Sequence, residues 1–224
     1  MEIKAVTFDV GGTLIEPWPS VGHVYAEVAA RHGFKDISPE LLNARFRKAW
    51  SVGQPFEHSR AAWGRLVDEV FLGICDPPSG TFFPGLYDRF SEPGAWRILE
   101  DVAPTLEALA SRGIKLGIIS NWDERLRGLL RALELDRYFE VFAISCEIGF
   151  PKPSRVIFES AAAELGLPAN AILHVGDSLE MDIAGGRAAG FRALQINRSA
   201  RDTTAGAMVT LAELPIRIAD LNSG

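Results

Sequence analysis

Short apolar runs ending in small or polar residues alternate, over most of this chain, with segments whose apolar positions recur at helical spacing. The runs Ile3–Phe8, Lys115–Ser120, Val141–Ser145, Ala171–Val175 and Arg192–Ile196 read as strands. Between them, Asp101–Arg112, Asp123–Glu134, Ser154–Leu165 and Leu179–Ala189 read as helices; Leu126, Leu129, Leu130 and Leu133 show the period. Gly113, Gly166 and Gly190 follow the helix ends, and Ser154 stands where an N-cap is needed, after Pro153. Strand and helix in alternation predict an α/β fold built on a doubly wound parallel sheet.

Residues 16–97 break the alternation. Helical patterns follow one another there without strands: Val21, Val24, Tyr25, Val28 and Ala29; then Leu42, Phe46, Ala49 and Trp50; then Trp63, Leu66, Val67, Val70 and Phe71. Gly33, Gly53 and Gly73 separate them, and Asp76–Gly85, rich in Pro and Gly, reads as a loop. The expected organisation is an α/β core from residues 1–15 and 98–224, with an α-helical subdomain, residues 16–97, inserted after the first strand. In the less regular tail, Met208–Leu214 is expected to add an edge strand.

Composition narrows the partners. Hydrophobic residues at 47% and charged residues at 23% fit an ordinary soluble domain. A net charge of −6 argues against nucleic acid or an anionic membrane as partner, since both need a positive field. It leaves room for a small phosphorylated metabolite, which needs only a local cation. Cys75 and Cys146 have no metal-ligand spacing and read as small hydrophobes in a reducing compartment. The start, MEIKAVTFDV, lacks the pattern of a signal peptide, and no apolar run is long enough to span a membrane. A cytoplasmic monomer or homodimer is expected.

Four features fall at carboxyl ends of predicted strands, where an open α/β sheet places its ligand crevice. Asp9 opens Asp9-Val10-Gly11-Gly12-Thr13-Leu14, and a carboxylate there can attack phosphorus while the glycines permit a sharp turn. Ser120 and Asn121 end the next strand, where a hydroxyl and backbone N–H groups can bind an anion. Lys152 sits between Pro151 and Pro153, which hold its ammonium in place. Asp177 follows the strand at Ala171–Val175, with Asp182 one turn further on; with Asp9 it supplies carboxylates suited to Mg²⁺. Each alone has a plainer reading as a cap, a turn or a solvated loop residue. Together and in this order they point to one site.

The set DVGGTL, ISN, GFPKP and HVGDSLEMD resembles the four motifs of the haloacid dehalogenase-like hydrolase superfamily. The resemblance covers nearly the whole chain, and the helical block is similar to that superfamily's α-helical cap. The run from Trp96 through Ser120-Asn121-Trp122-Asp123 to GFPKP is similar to the branch of rhythmically expressed gene 2-like proteins. The resemblance implies a Rossmannoid core and a Mg²⁺-dependent phosphatase working through an aspartyl-phosphate. It implies Asp9 as nucleophile and metal ligand, with the Gly11 carbonyl and Asp177 completing the metal site. Ser120, Asn121 and Gly12 would receive the phosphoryl oxygens, Thr13 would brace the loop, Lys152 would neutralise charge, and Asp182 would orient Lys152 or a metal-bound water from behind.

One position departs from the pattern. Most phosphatases of this superfamily read Asp-x-Asp-Gly-Thr, and here Gly11 replaces the second aspartate. Glycine can still offer the backbone carbonyl, but not the carboxyl that protonates the leaving oxygen and later activates water. That help is worth roughly 10²–10⁴-fold, so alkyl phosphates are expected to react slowly and aryl or acyl phosphates less so. Glu16, His23 and Asp123 are candidate substitutes.

Three other functions remain open. A metal-independent 2-haloacid dehalogenase also lacks the second aspartate, but lacks the Gly-Asp that here is Gly176-Asp177. A phosphonoacetaldehyde hydrolase would need a Schiff-base lysine, for which the helical block offers Lys35 and Lys48. A non-catalytic Mg²⁺- and phosphate-binding regulator would keep the site without the chemistry. Trp50, Trp63, Trp96 and His174 read as core residues; Arg125, Arg127 and Arg131 read as a solvated helix face. His23, His58 and Arg60 belong to the helical block, where helix phase alone does not place them.

Overall fold

Ala5, Val6, Thr7 and Phe8 are all buried, so the first strand has no solvent face and belongs inside a sheet covered on both sides. The computed structural model, which describes residues 2–52, 56–198 and 206–223, places it there. In chain order the strands are β1 (Ala5–Phe8), β2 (Ile15–Pro17), β3 (Trp96–Ile98), β4 (Lys115–Ser120), β5 (Val141–Ile144), β6 (Ile172–Gly176) and β7 (Arg192–Gln195). Five form one sheet in the order β5-β4-β1-β6-β7, and every pairing in it is parallel. The short β2 and β3 pair only with each other.

Because β1 lies between β4 and β6, the residues that follow these three strands are neighbours. The register sets Phe8 level with Ile118 on one side and Val175 on the other. Asp9, Ser120 and Asp177 therefore emerge at one edge of the sheet, the arrangement that defines a ligand crevice in such folds.

The chain divides into two compact units. The first comprises Met1–Ile15, Ile98–Glu124 and Leu133–Gly224 and contains the five-stranded sheet. The second comprises Glu16–Arg97 and Arg125–Ala132. Its helices Val21–Arg31, Pro39–Val52 and Arg60–Phe71 bury the apolar residues that carried their period, among them Val24, Tyr25, Val28, Leu42, Leu66, Val67, Val70 and Phe71. Gly22 lets two of these helices approach closely: a Cβ there would lie 2.0 Å from the Pro39 carbonyl oxygen, and its N–H donates to Asn43 Oδ1 at 2.7 Å.

Several local expectations hold. Gly113, Gly166 and Gly190 take positive φ after helices, and Ser154 Oγ accepts the Val156 N–H. Others need correction. Within Asp76–Gly85 there is a 3₁₀ turn at Pro78–Gly80, and a helix starts at Phe83 because Phe83, Leu86 and Tyr87 share a buried face. Met208–Leu214 is no edge strand: Met208 makes a single bridge to Ile196, and a helix at Leu214–Ser223 follows. Asp101 stops the pairing by accepting hydrogen bonds from Thr210 Oγ1 and the Leu211 N–H.

The segment Leu179–Ala189 is helical but not uniform. It begins as a π-helix, Leu179–Ala184, before an α-helical turn at Gly185–Ala188. The wider turn carries Asp182 in a fully buried position. Arg125 is also not part of a solvated face. Its guanidinium stacks 3.5 Å from the centroid of the Tyr87 ring and donates to the Tyr87 carbonyl at 2.7 Å, within the second unit. Gly53 lies outside the described residues.

Candidate active site

Asp9 leaves β1 with its N–H donated to the Val175 carbonyl at 2.9 Å, which fixes the start of its loop to the neighbouring strand. The residue is 9% exposed. Oδ1 accepts two hydrogen bonds, from Lys152 Nζ at 2.7 Å and from Ser120 Oγ at 3.0 Å. Neither donor engages Oδ2. The carboxylate is held by one oxygen and presents the other.

Lys152 is 3% exposed and reaches Asp182 Oδ1 at 2.6 Å as well as Asp9. Its main chain is fastened by a two-point clasp: its N–H donates to Asn121 Oδ1 at 2.7 Å, and Asn121 Nδ2 donates to its carbonyl at 3.0 Å. Burial alone would lower the ammonium's pKa, but Asp9 and Asp182 outweigh it and lift it above the ordinary lysine value. Asp182 shows the complement. Burial pushes its carboxyl upward, but Lys152 and His174 hold it well below the usual carboxylate range.

Asp182 is already fully engaged, since Oδ2 accepts the Ser178 N–H at 2.9 Å and Oδ1 accepts from both Lys152 and His174. Asp177, in contrast, faces outward with its carboxylate toward the others; desolvation and the charges of Asp9 and Asp182 push it up to about 7. Ligand oxygens of the three aspartates lie within 4.8 Å of one another. With all three ionised, the carboxylates against one ammonium leave an excess of two negative charges, which adds to desolvation in making Asp177 hold its proton. A hard divalent cation would neutralise that excess, and Asp9 and Asp177 are the carboxylates placed to hold it.

The glycines have identifiable neighbours. Gly12 has φ +76°, and a Cβ there would lie 2.6 Å from Asp177 Oδ2. A Cβ on Gly176 would lie 2.2 Å from Asp182 Cγ. Both aspartates are thus packed directly on glycine backbone. A Cβ on Gly11 would meet Trp122 Cζ3 at 3.4 Å, an ordinary contact. The Trp122 main chain is bracketed by Ser145: its N–H donates to Ser145 Oγ at 3.0 Å, and that hydroxyl donates to the Trp122 carbonyl at 3.1 Å.

Thr13 is buried, and its Oγ1 has no hydrogen-bond partner among the described residues. Its carbonyl accepts from Arg198 Nη2 at 2.7 Å, while Arg198 also grips Asp101 through two contacts of 3.0 Å. Sequence reasoning missed Arg198, in an irregular tail, and missed the clasp made by the Asn121 amide. Of the candidate substitute acids, Glu16 is paired with Arg97 and His23 with Ser20. Asp123 alone lies in the unit that carries Asp9, and it is buried.

The raised Asp177 carboxyl has a measurable consequence. A group whose folded pKa exceeds its unfolded value keeps its proton longer in the folded state, so stability falls as pH rises between about 4 and about 7. Asp182 has the opposite sign, but its contribution is lost only below that window. The metal-free protein is expected to melt at a lower temperature at pH 8 than at pH 5.5. Asp177→Asn should flatten that slope in a thermal-shift series with chelator; an unchanged slope would assign it to other groups.

A carboxylate at the end of a central parallel strand, tied to a buried lysine and flanked by two more carboxylates, is a candidate active site for a hydrolase. The chain belongs to the haloacid dehalogenase-like hydrolase family, whose description matches residues 3–190. It is 30% identical over 234 residues to haloacid dehalogenase-like hydrolase domain-containing protein 3 of Danio rerio, covering 96% of each protein. It is 36% identical to glyceraldehyde 3-phosphate phosphatase of Methanopyrus kandleri, covering 88% of this chain and 84% of that one. Among solved structures, a HAD phosphatase from Thermococcus onnurineus superimposes with TM-score 0.67 at 27% identity, covering 96% of this chain and 98% of that one. Matched proteins include dehalogenases as well as phosphatases.

Proposed function

We propose that this chain is a Mg²⁺-dependent phosphatase of a small phosphorylated metabolite, with Asp9 as its nucleophile. The observation that carries the reading is the charge excess around Asp9: two carboxylates, Asp9 and Asp177, converge without enough cation beside them. A metal-free dehalogenase has no use for that second carboxylate. The matched phosphatases support the same choice.

Bound Mg²⁺, held by Asp9, Asp177 and the Gly11 carbonyl, would offset charge on the nucleophile and the phosphoryl oxygens. The remaining work falls to side chains. Asp9 Oδ2, the oxygen that neither Lys152 nor Ser120 occupies, attacks phosphorus, and the bond to the leaving oxygen breaks. Lys152 offsets the negative charge of the phosphoryl group, and the Asn121 N–H after Ser120 would receive one of its oxygens. The Gly12 N–H, expected to share that work, is instead donated within its own loop to the Ile15 carbonyl, and the Thr13 N–H to the Val10 carbonyl. Thr13, its hydroxyl unspent, supports that loop. Water then hydrolyses the aspartyl-phosphate. Gly11 donates no proton to the leaving oxygen, so substrates whose leaving groups are stable as anions are favoured.

The helical unit acts in this reading as a cap that sets specificity. The phosphonoacetaldehyde reading is weaker, because a Schiff-base lysine needs desolvation to be neutral and both Lys35 and Lys48 are exposed. No helix among the described residues is long and apolar enough to cross a membrane, and Cys75 and Cys146 are free thiols, which supports a reducing compartment such as the cytoplasm.

A chelator experiment tests the proposal. Activity on a panel of aryl, acyl and alkyl phosphates should vanish with EDTA and return with Mg²⁺. Turnover of a 2-haloacid that survives metal removal would establish the dehalogenase instead, and phosphate binding without turnover anywhere in the panel would establish the non-catalytic regulator.

A further inference from the structure

His174 is fully buried in the middle of β6, in a strand that is otherwise apolar. Its register partner on β1 is Thr7, also fully buried, and Thr7 Oγ1 lies 3.0 Å from His174 Nδ1. The other ring nitrogen, Nε2, lies 3.0 Å from Asp182 Oδ1, the same oxygen that receives Lys152 Nζ. The edge of the Phe158 ring meets the imidazole at a centroid distance of 5.2 Å, and a Cβ on Gly186 would lie 3.7 Å from the His174 Cβ, so the ring is packed on both sides.

The chemistry of the partners dictates the tautomer. Asp182 presents a carboxylate oxygen, which can only accept, so Nε2 carries the hydrogen. In the neutral imidazole Nδ1 then holds a lone pair, to which the Thr7 hydroxyl can donate. A neutral imidazole satisfies both contacts with no group left over. The result is a continuous chain across two strands: Thr7 hydroxyl, His174, Asp182, Lys152, Asp9.

Resting on the phosphatase reading above, we propose that His174, oriented by Thr7, is a positioning residue that aims Asp182 so that Lys152 is delivered to Asp9. A carboxylate at the mouth of a π-helical turn has one main-chain donor, Ser178, to hold Oδ2. Lys152 is its other charged contact, and a flexible lysine cannot fix its own partner. His174 supplies the rigid third point, from a sheet strand rather than a loop.

Three variants and one spectrum decide it. His174→Leu removes the donor at similar volume and should lower kcat about 10- to 100-fold with KM nearly unchanged, the scale on which outer partners act. His174→Gln places an amide N–H near the position of Nε2 and should recover most of that loss, and Thr7→Val should fall between them. Independently of turnover, ¹⁵N spectra of the imidazole should show hydrogen on Nε2 and not on Nδ1, with the Nε2 signal shifting in Asp182→Asn. Equal kcat for His174→Leu and His174→Gln, or hydrogen on Nδ1, overturns the proposal. Should the wild type hydrolyse no phosphate, the function reading fails, and the tautomer and its response to Asp182→Asn still decide whether the chain from His174 to Asp182 exists.

Discussion

Asp9→Asn should abolish turnover, by about 10⁴-fold or more on the scale of nucleophile deletions, while leaving the metal-free fold as stable as the wild type. The two halves of this expectation come from different observations. Turnover is lost because an amide oxygen cannot form the acyl-phosphate. Stability is kept because the substitution is nearly isosteric and its oxygen still accepts from Lys152 and Ser120. The lost attraction to Lys152 is offset by relief elsewhere: Asp9 is one of the charges that push Asp177 upward, and Lys152 retains Asp182. The Asp177 carboxyl should then titrate closer to its ordinary value, and the fall in stability toward pH 8 should shrink. Activity assays, thermal shifts across pH and ¹³C titration of the carboxyls measure all three. An Asp9→Asn protein that hydrolyses phosphates at the wild-type rate would remove Asp9 from the chemistry.

That variant also separates what the sequence made legible from what it did not. The four chemical features were readable because each ends an apolar strand run, and a parallel sheet brings such ends to one edge whatever lies between them. Asp9, Ser120 and Lys152 accordingly meet within hydrogen-bond distance across separations of more than a hundred residues. The contacts that hold them were hidden. Nothing in the string marks the Asn121 amide as the clasp of the Lys152 backbone, because such a clasp depends on two loop conformations at once.

Thr7 and His174 did leave a trace. Each is a lone polar residue in a strand whose neighbours are apolar, and two such residues in adjacent strands satisfy each other at the cost of aligned register. The α-helical period was similarly informative about faces but silent about neighbours. It gave Leu126, Leu129 and Leu130 as one buried stripe, while Arg125–Ala132 proves to group with the helical unit rather than with the segments that flank it. Proline and glycine misled between Asp76 and Gly85, since the buried face of Phe83, Leu86 and Tyr87 outweighs them.

Gly11→Asp should be the informative gain of function. If the missing carboxyl limits the reaction, a fully placed acid there should raise kcat/KM on an alkyl phosphate by roughly 10²-fold or more, the scale of general acid catalysis. An aryl phosphate should gain much less, because its leaving oxygen needs little help from a proton. The structure adds a condition. A Cβ at residue 11 would lie 3.4 Å from the Trp122 ring, tolerated in itself but with the indole as its nearest neighbour. The Trp122 main chain cannot retreat, being bracketed on both sides by Ser145. The indole therefore limits the rotamers open to an acid at residue 11, and Gly11→Asp alone should recover only part of the rate. Pairing it with Trp122→Ala should release the carboxyl and give the larger gain, whereas Trp122→Ala by itself supplies no proton and should not favour the alkyl ester. The discriminating quantity is the ratio of alkyl to aryl gain across the four proteins. A ratio that stays constant would mean that leaving-group protonation is not what glycine at this position costs, and that Asp123 or solvent already provides it.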